Sequence, residues 1–265
     1  MFSLWSHTIR TAITTEATAL SENGQKELVL TGIQVGAYGD DKKDGTSLID
    51  AIKAAALPKS VLRLRLSSIE PVAITEEFLS ECKKIPSFCP HFHLSLQSGC
   101  DKILKAMNRR YTADEYFEKV TLIRKYFPDA GITTDIIAGF PGETEEDFTE
   151  TLAFAEKCGF AKIHAFPYSP REGTKAAKLP LLPARSVRNE RAIKLISLSD
   201  KLNRNFIEGQ TGKTRPVYIE RIENGTAFGY TDNYLYVSMP EDSLSVGDVT
   251  EIVFSEKYIT ENENE

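Results

Sequence analysis

The sequence predicts an α/β chain: a parallel sheet covered by helices and missing its first strand, followed by a small antiparallel β-barrel. Three observations lead there. Short apolar, β-branched runs alternate with longer amphipathic stretches over the first 170 residues. A polar or glycine-bearing segment follows each run that reads as a strand. After Gly209 the helical stretches give way to short strands separated by Gly-bearing turns.

Taken in order, residues 1–10 match no pattern, and 12–22 read as a helix feeding a strand at 27–31. No strand is expected ahead of that helix. The sheet should therefore start on an exposed edge, which favours aggregation or pairing with another chain. Further strands are expected at 61–66, 92–96, 132–138 and 162–166, with helices at 47–56, 75–84, 112–126 and 145–157 between them. Thr75 followed by Glu76 and Glu77, and Thr112 followed by Asp114 and Glu115, supply helix caps and first-turn acids. Gly131 and Gly159 stand where a left-handed residue ends a helix with little strain.

Between Arg171 and Asn205 nine Lys or Arg face three acids, and Leu195, Leu198, Leu202 and Phe206 recur at helical spacing. This predicts a basic amphipathic helix joining two domains, or a solvated linker helix of no further role. Strands at 215–221, 225–230, 234–237 and 249–254 make up the small barrel. The domains expected are thus an unmatched segment 1–10, a barrel domain with its basic helix over 11–206, a small β-barrel over 209–258, and an acidic tail 259–265.

Composition narrows the function. A chain of 265 residues with 41% hydrophobic and 26% charged residues is an ordinary globular protein. Its net charge of -6 argues against general affinity for phosphate backbones, which are held by Lys and Arg, unless basic residues cluster locally. No apolar run approaches the roughly 20 residues needed to cross a bilayer, and residues 1–10 lack the basic and apolar regions of a secretory signal. A cytoplasmic location is expected.

In a parallel α/β domain ligands sit beyond the carboxyl ends of the strands. Five polar or Gly-rich segments fall there: 31–36, 67–71, 97–99, 139–144 and 168–174. Glu70 and Asp135 can accept from an amino group or ribose hydroxyls, and Gln97 can donate or accept. Gly139 and Gly142 allow backbone to approach a flat ring. Glu143 reads equally as a first-turn acid or a ligand contact, and Arg109 and Arg110 as carboxylate partners or plain surface charge. His91 and His93 share one face of a strand, a pattern that can bind metal, yet they lie at the end opposite the ligand face. The cysteines Cys82, Cys89, Cys100 and Cys158 match no zinc spacing and read as small buried apolar residues.

Together, Glu27-Leu28-Val29-Leu30-Thr31-Gly32, Leu66-Ser67-Ser68-Ile69-Glu70-Pro71, His93-Leu94-Ser95-Leu96-Gln97-Ser98-Gly99, Met107-Asn108-Arg109-Arg110-Tyr111, Gly139-Phe140-Pro141-Gly142-Glu143-Thr144 and Tyr168-Ser169-Pro170-Arg171-Glu172-Gly173-Thr174 carry a resemblance. From about Ile13 onward the chain resembles the radical S-adenosylmethionine tRNA methylthiotransferases. Arg171-Glu172-Gly173-Thr174, Pro90-His91-Phe92-His93 and Gly229-Tyr230-Thr231-Asp232-Asn233-Tyr234 are most similar to the branch acting on threonylcarbamoyladenosine next to the anticodon. The resemblance implies a partial parallel radical-SAM-type barrel followed by a TRAM-like barrel. It places Glu70, Gln97, Ser98, Asp135, Gly139 and Pro141 around S-adenosylmethionine. It also turns the basic helix and the small barrel toward the tRNA anticodon stem-loop, with Arg171, Arg188, Arg191, Lys213 and Arg215 as RNA contacts.

One departure bears on the chemistry. The family carries a CxxxCxxC loop after the first barrel strand, whose three thiolates hold a [4Fe–4S] cluster. The cysteines here are seven, eleven and fifty-eight positions apart, so the expected cluster has no ligands in this chain. An N-terminally truncated enzyme, inactive alone and needing a missing N-terminal fragment, is the first expectation. A non-catalytic remnant that binds tRNA or S-adenosylmethionine is the second. An unrelated α/β-barrel enzyme using His91 and His93 is the third.

Overall fold

The computed structural model of the chain describes residues 2–3, 10–41 and 44–260. Most of the unmatched segment 1–10 and residues 261–265 of the acidic tail lie outside the described residues. The polypeptide forms two compact units that are not contiguous in sequence. Unit one comprises Met1–His93, Ile123–Gly131 and Ile207–Glu265; unit two comprises Leu94–Leu122 and Ile132–Phe206.

In unit one, β1 (Phe2–Ser3), α1 (Arg10–Glu22), β2 (Glu27–Thr31), α2 (Leu48–Ala55), β3 (Arg63–Leu66), α3 (Glu76–Lys83) and β4 (His91–His93) follow in order. The bare sheet edge expected from the sequence is corrected at one end. Phe2 and Ser3 pair in parallel with Leu30 and Thr31, a strand too short to leave any periodicity in the sequence. β2 pairs in parallel with β3, Glu27 beside Arg63 and Leu30 beside Leu66. Helix starts follow local chemistry. Ser47 and Asp50 form a capping box at α2, and the Thr75 hydroxyl accepts from the Phe78 amide at 3.1 Å to start α3. Thr14 of α1 donates to the Ala54 carbonyl of α2 at 3.3 Å, and Ile13, Ala17, Leu28, Leu30, Ile52, Leu64 and Leu66 are buried.

The end of the chain belongs to the same unit. β7 (Thr214–Glu223), β8 (Thr226–Thr231), β9 (Tyr236–Pro240) and β10 (Val249–Val253) form an antiparallel sheet in the order β10-β7-β8-β9, with a register shift between Ile219 and Arg221. What ties it down is unusual. Arg63 and Arg65 are both 2% exposed, so β3 is buried on both faces. Arg63 donates to the Tyr230 and Thr231 carbonyls at 2.6 and 2.9 Å, and Arg65 to the Thr231 and Asp232 carbonyls at 2.6 and 2.7 Å. Glu27 lies within ion-pair distance of both guanidinium groups, 2.5 and 3.0 Å away. A buried cation is tolerable only with this degree of compensation. Asn233 adds a bond to the Asp129 carbonyl at 3.0 Å, and a Cβ on Gly131 would come 2.2 Å from the Asn233 carbonyl oxygen.

Unit two holds α4 (Asp101–Ala106), β5 (Gly131–Ala138, from Ile132 on), α6 (Glu145–Cys158) and β6 (Lys162–Pro167). α5 (Ala113–Tyr126) and α7 (Arg185–Glu208) have residues in each unit. β5 and β6 pair in parallel with Thr133 beside Lys162, Asp135 beside His164 and Ala138 beside Pro167. Thr144 and Asp147 form the capping box of α6, and Gly159 ends it at a φ of 60°. Among the described residues no helix is long and apolar enough to cross a membrane.

Candidate functional site

The polar face of unit two is built where the 95–99 segment runs beside β5. The Gln97 amide donates to the Asp135 carbonyl at 2.8 Å, and the Gln97 carbonyl accepts from the Ile137 amide at 3.0 Å. Between these two bonds Gln97 sits at a φ of 74°. That region disfavours any residue with a Cβ, at a cost of order 1–3 kcal/mol, and persists only where the surroundings fix it. Asp135 stands on β5 in register with His164, so the two residues share a face. His164 was not singled out by sequence reasoning. Its only signal is the alternation Lys162, His164, Phe166 along a strand.

The other expected ligand residues fall into different situations. Ser98 is fully buried; its hydroxyl lies 3.2 Å from the Thr151 hydroxyl and accepts from the Cys100 amide at 3.2 Å, which fastens the turn to α6. Gly139 has a φ of 74°, and a Cβ there would lie 2.3 Å from Cγ of Arg188. Pro141 is buried beside it. Glu70 belongs to unit one, where it is exposed at the turn following β3 and its carbonyl accepts from the Ala73 amide at 3.1 Å.

Glu143 precedes the cap of α6 and so is not one of its first-turn acids. Its Oε2 accepts from the Gly139 amide at 2.7 Å and from Nη1 of Arg191 at 2.7 Å, closing the loop on itself and onto α7. Arg191 also pairs with Glu145 at 3.1 Å. Burial pushes the Glu143 carboxyl above its ordinary range, while the Gly139 amide and Arg191 pull in the opposite direction.

Of the residues expected on RNA, Arg171 is exposed after β6. Arg188 is half-buried and donates to the Tyr168 carbonyl, and Arg191 is buried in the bracket just described. In unit one Lys213 pairs with Asp129, and buried Arg215 bonds Gln210 at 2.6 Å and lies 3.0 Å from Asp129. His91 is buried with its ring stacked on Tyr234 at 4.4 Å.

All four cysteines are buried and free. Burial lifts the Cys82 and Cys89 thiols and pushes Cys100 up to about 11, so these groups stay protonated at neutral pH. Cys82 and Cys89 lie in unit one, Cys100 and Cys158 in unit two. Among the described residues no three His, Cys, Asp or Glu side chains are grouped to hold a metal ion.

Comparison with known proteins agrees with the sequence wording. The Radical SAM superfamily model matches residues 10–155. Threonylcarbamoyladenosine tRNA methylthiotransferase MtaB of Bacillus subtilis is 35% identical over 242 residues, covering 89% of this chain and 54% of that one. The MtaB protein of Thermotoga maritima is 38% identical over 213 residues, 80% of this chain and 49% of that one. A tRNA-2-methylthio-N(6)-dimethylallyladenosine synthase of Acetivibrio thermocellus is 34% identical over 240 residues, 89% of this chain and 50% of that one. The chain thus spans about half the length of the curated relatives it matches. In fold it resembles coproporphyrinogen III oxidase (HemN) from Escherichia coli, with a TM-score of 0.53 at 12% identity over 93% of this chain and 64% of that one.

Proposed function

The chain belongs to the radical SAM superfamily, and from that premise we propose that it is the nucleoside-binding and tRNA-facing portion of a tRNA methylthiotransferase. The superfamily works with S-adenosylmethionine and a [4Fe–4S] cluster, which together supply a radical when bound. The residues here suit the two parts of that pair unequally. The left-handed Gln97, fixed beside Asp135 next to the Gly139 turn, is the observation that carries the reading. It presents donors, acceptors and close backbone of the kind a nucleoside requires. The cluster finds no such fit, since three thiolates must converge from one neighbourhood, and among the described residues the four thiols are buried and form no such group.

We therefore assign to this chain the binding side of the reaction and not the cluster. The substrate proposed is threonylcarbamoyladenosine beside the anticodon. It is favoured by the wording at Arg171–Thr174, Pro90–His93 and Gly229–Tyr234, although relatives of the dimethylallyladenosine branch match at similar identity. The terminal antiparallel sheet is read as the TRAM-like barrel and the parallel strands as a partial radical-SAM barrel, in a cytoplasmic protein. Within unit two, Gln97, Ser98, Asp135, Gly139 and Pro141 are proposed around S-adenosylmethionine, and exposed Arg171 is the foremost RNA contact. Burial of all four thiols also supports a second reading, a remnant that binds without catalysis.

Anaerobic reconstitution with iron and sulfide tests the first reading. The purified chain is expected to take up no stoichiometric iron and to show no cluster absorbance. Near-stoichiometric [4Fe–4S] uptake would overturn the assignment. Adding the separately produced cluster-bearing half of a relative, with S-adenosylmethionine, a reductant and tRNA, separates the two readings. A methylthiolated nucleoside in the digested tRNA, seen by mass spectrometry, supports the enzyme; tRNA retained but unmodified supports the remnant.

A further inference from the structure

Among the described residues, four buried polar atoms of unit two have no hydrogen-bond partner: Oε1 of Glu143, Oη of Tyr168, and Nε of both Arg188 and Arg191. All four belong to the loop after β5, the residue after β6, or the first turns of α7. Each one counts, because a buried donor or acceptor left unpaired is costly, and the cost rises when the group is charged.

The two arginines one turn apart on α7 differ in their charge balance. Arg191 is matched by Glu143 and Glu145 at 2.7 and 3.1 Å. Arg188 has only the Tyr168 carbonyl, and among the described residues no carboxylate pairs with it. Its position is fixed all the same. The stem passes over Gly139 so closely that a Cβ there would meet Cγ, Cβ and Cδ of Arg188 at 2.3, 3.1 and 3.2 Å. The loop has a glycine where the aliphatic stem of Arg188 lies across it, and the Glu143 bracket holds the loop in that position.

We propose that Arg188 is an anion-recognising residue of the Gly139–Glu143 loop, and that its ligand is the α-carboxylate of an amino-acid group. The inference rests on the function proposed above and deepens it, because two molecules of that reaction carry such a carboxylate. One is the methionyl end of S-adenosylmethionine. The other is the threonyl end of threonylcarbamoyladenosine, a group that dimethylallyladenosine lacks. A planar guanidinium suits a carboxylate better than an ammonium does, since its fork can donate two parallel bonds. If the threonyl end is the ligand, Arg188 also becomes a residue that separates one substrate branch from the other.

Two pairs of probes, titrated calorimetrically into the full chain, decide between the sources. One pair is S-adenosylmethionine and its decarboxylated form; the other is threonylcarbamoyladenosine and its threoninamide counterpart. The wild-type chain is expected to bind the carboxylate member of one pair about tenfold or more tightly than its partner, as charge-assisted bonds allow. Arg188→Gln should abolish that preference while leaving the affinity of the member without the carboxylate in place. Arg188→Lys, which keeps the charge and the stem over Gly139, should retain part of it and serves as the test if the glutamine variant does not fold. Equal binding within both pairs, or a preference that survives Arg188→Gln, would overturn the carboxylate role alone. A folded wild-type chain that binds no member of either pair would overturn the nucleoside-binding function as well. Weakened tRNA retention in Arg188→Gln without any carboxylate preference would make the ligand an RNA phosphate and also defeat the proposal.

Discussion

Replacing Arg65 by methionine is expected to destabilise unit one by about 3–5 kcal/mol, the range seen when one partner of a buried ion pair is removed. Methionine preserves much of the stem but none of the donors. It leaves the Thr231 and Asp232 carbonyls short of a bond and Glu27 with one cation in place of two. A domain has only about 5–15 kcal/mol in hand, so a loss of this size is a large fraction of it. Urea unfolding measures the loss, and hydrogen exchange locates it: protection should fall first in β7 and β8, the sheet that the two arginines hold. Lys125→Met, which breaks the exposed pair with Glu76, serves as a control expected to cost no more than about 1 kcal/mol. Equal losses in the two variants would mean that the carbonyls around Arg65 find water instead.

The same residues mark where the sequence stopped being readable. The run Arg63-Leu64-Arg65-Leu66 has the alternation of a strand with one wet face, yet both faces are buried. Nothing local says so, because the compensation comes from carbonyls 166–168 positions away, at Tyr230–Asp232. Elements set by local chemistry were legible. The strand at 27–31 is observed as expected, and the helices at 47–56, 75–84 and 145–157 are recovered to within two residues at each end, through the caps at Ser47, Thr75 and Thr144. α4, at six residues, is too short to show a period, and the strand expected over 92–96 is a ladder only at His91–His93.

At the candidate site the loops were legible and the side-chain roles were not. Glycines after strands located the Gly139–Gly142 turn, since a turn leaves its mark on composition. The left-handed backbone of Gln97 leaves no such mark; it follows from the paired bonds to β5. The basic stretch 171–205 was read by charge, and charge alone does not separate exposed Arg171 from buried Arg191. The sequence carries no mark of His164's place, which depends on the β5–β6 register that sets it beside Asp135.

That bracket yields the second large effect. Arg191→Met should cost about 3–5 kcal/mol at neutral pH, because the buried Glu143 carboxyl is left without the cation opposite it. Glu143→Gln should cost less: the amide oxygen can still accept from Gly139, and Arg191 keeps Glu145. Their pH dependence differs in a way that identifies the cause. Burial already raises the Glu143 carboxyl above its ordinary value, and removing Arg191 takes away one of the groups that oppose the rise. A carboxyl whose folded pKa is raised contributes stability that is present below its unfolded pKa, near 4.3, and is lost as pH climbs through the folded value. The Arg191→Met variant should therefore recover part of its deficit relative to wild type between neutral pH and about pH 4.5, as Glu143 takes up a proton. Glu143→Gln has no such proton to gain. The double variant should show the smaller, flatter deficit of the two neutral side chains. Urea midpoints for all four proteins across that range measure this, and a deficit in Arg191→Met that stays constant with pH would show that Glu143 is not the charge Arg191 compensates.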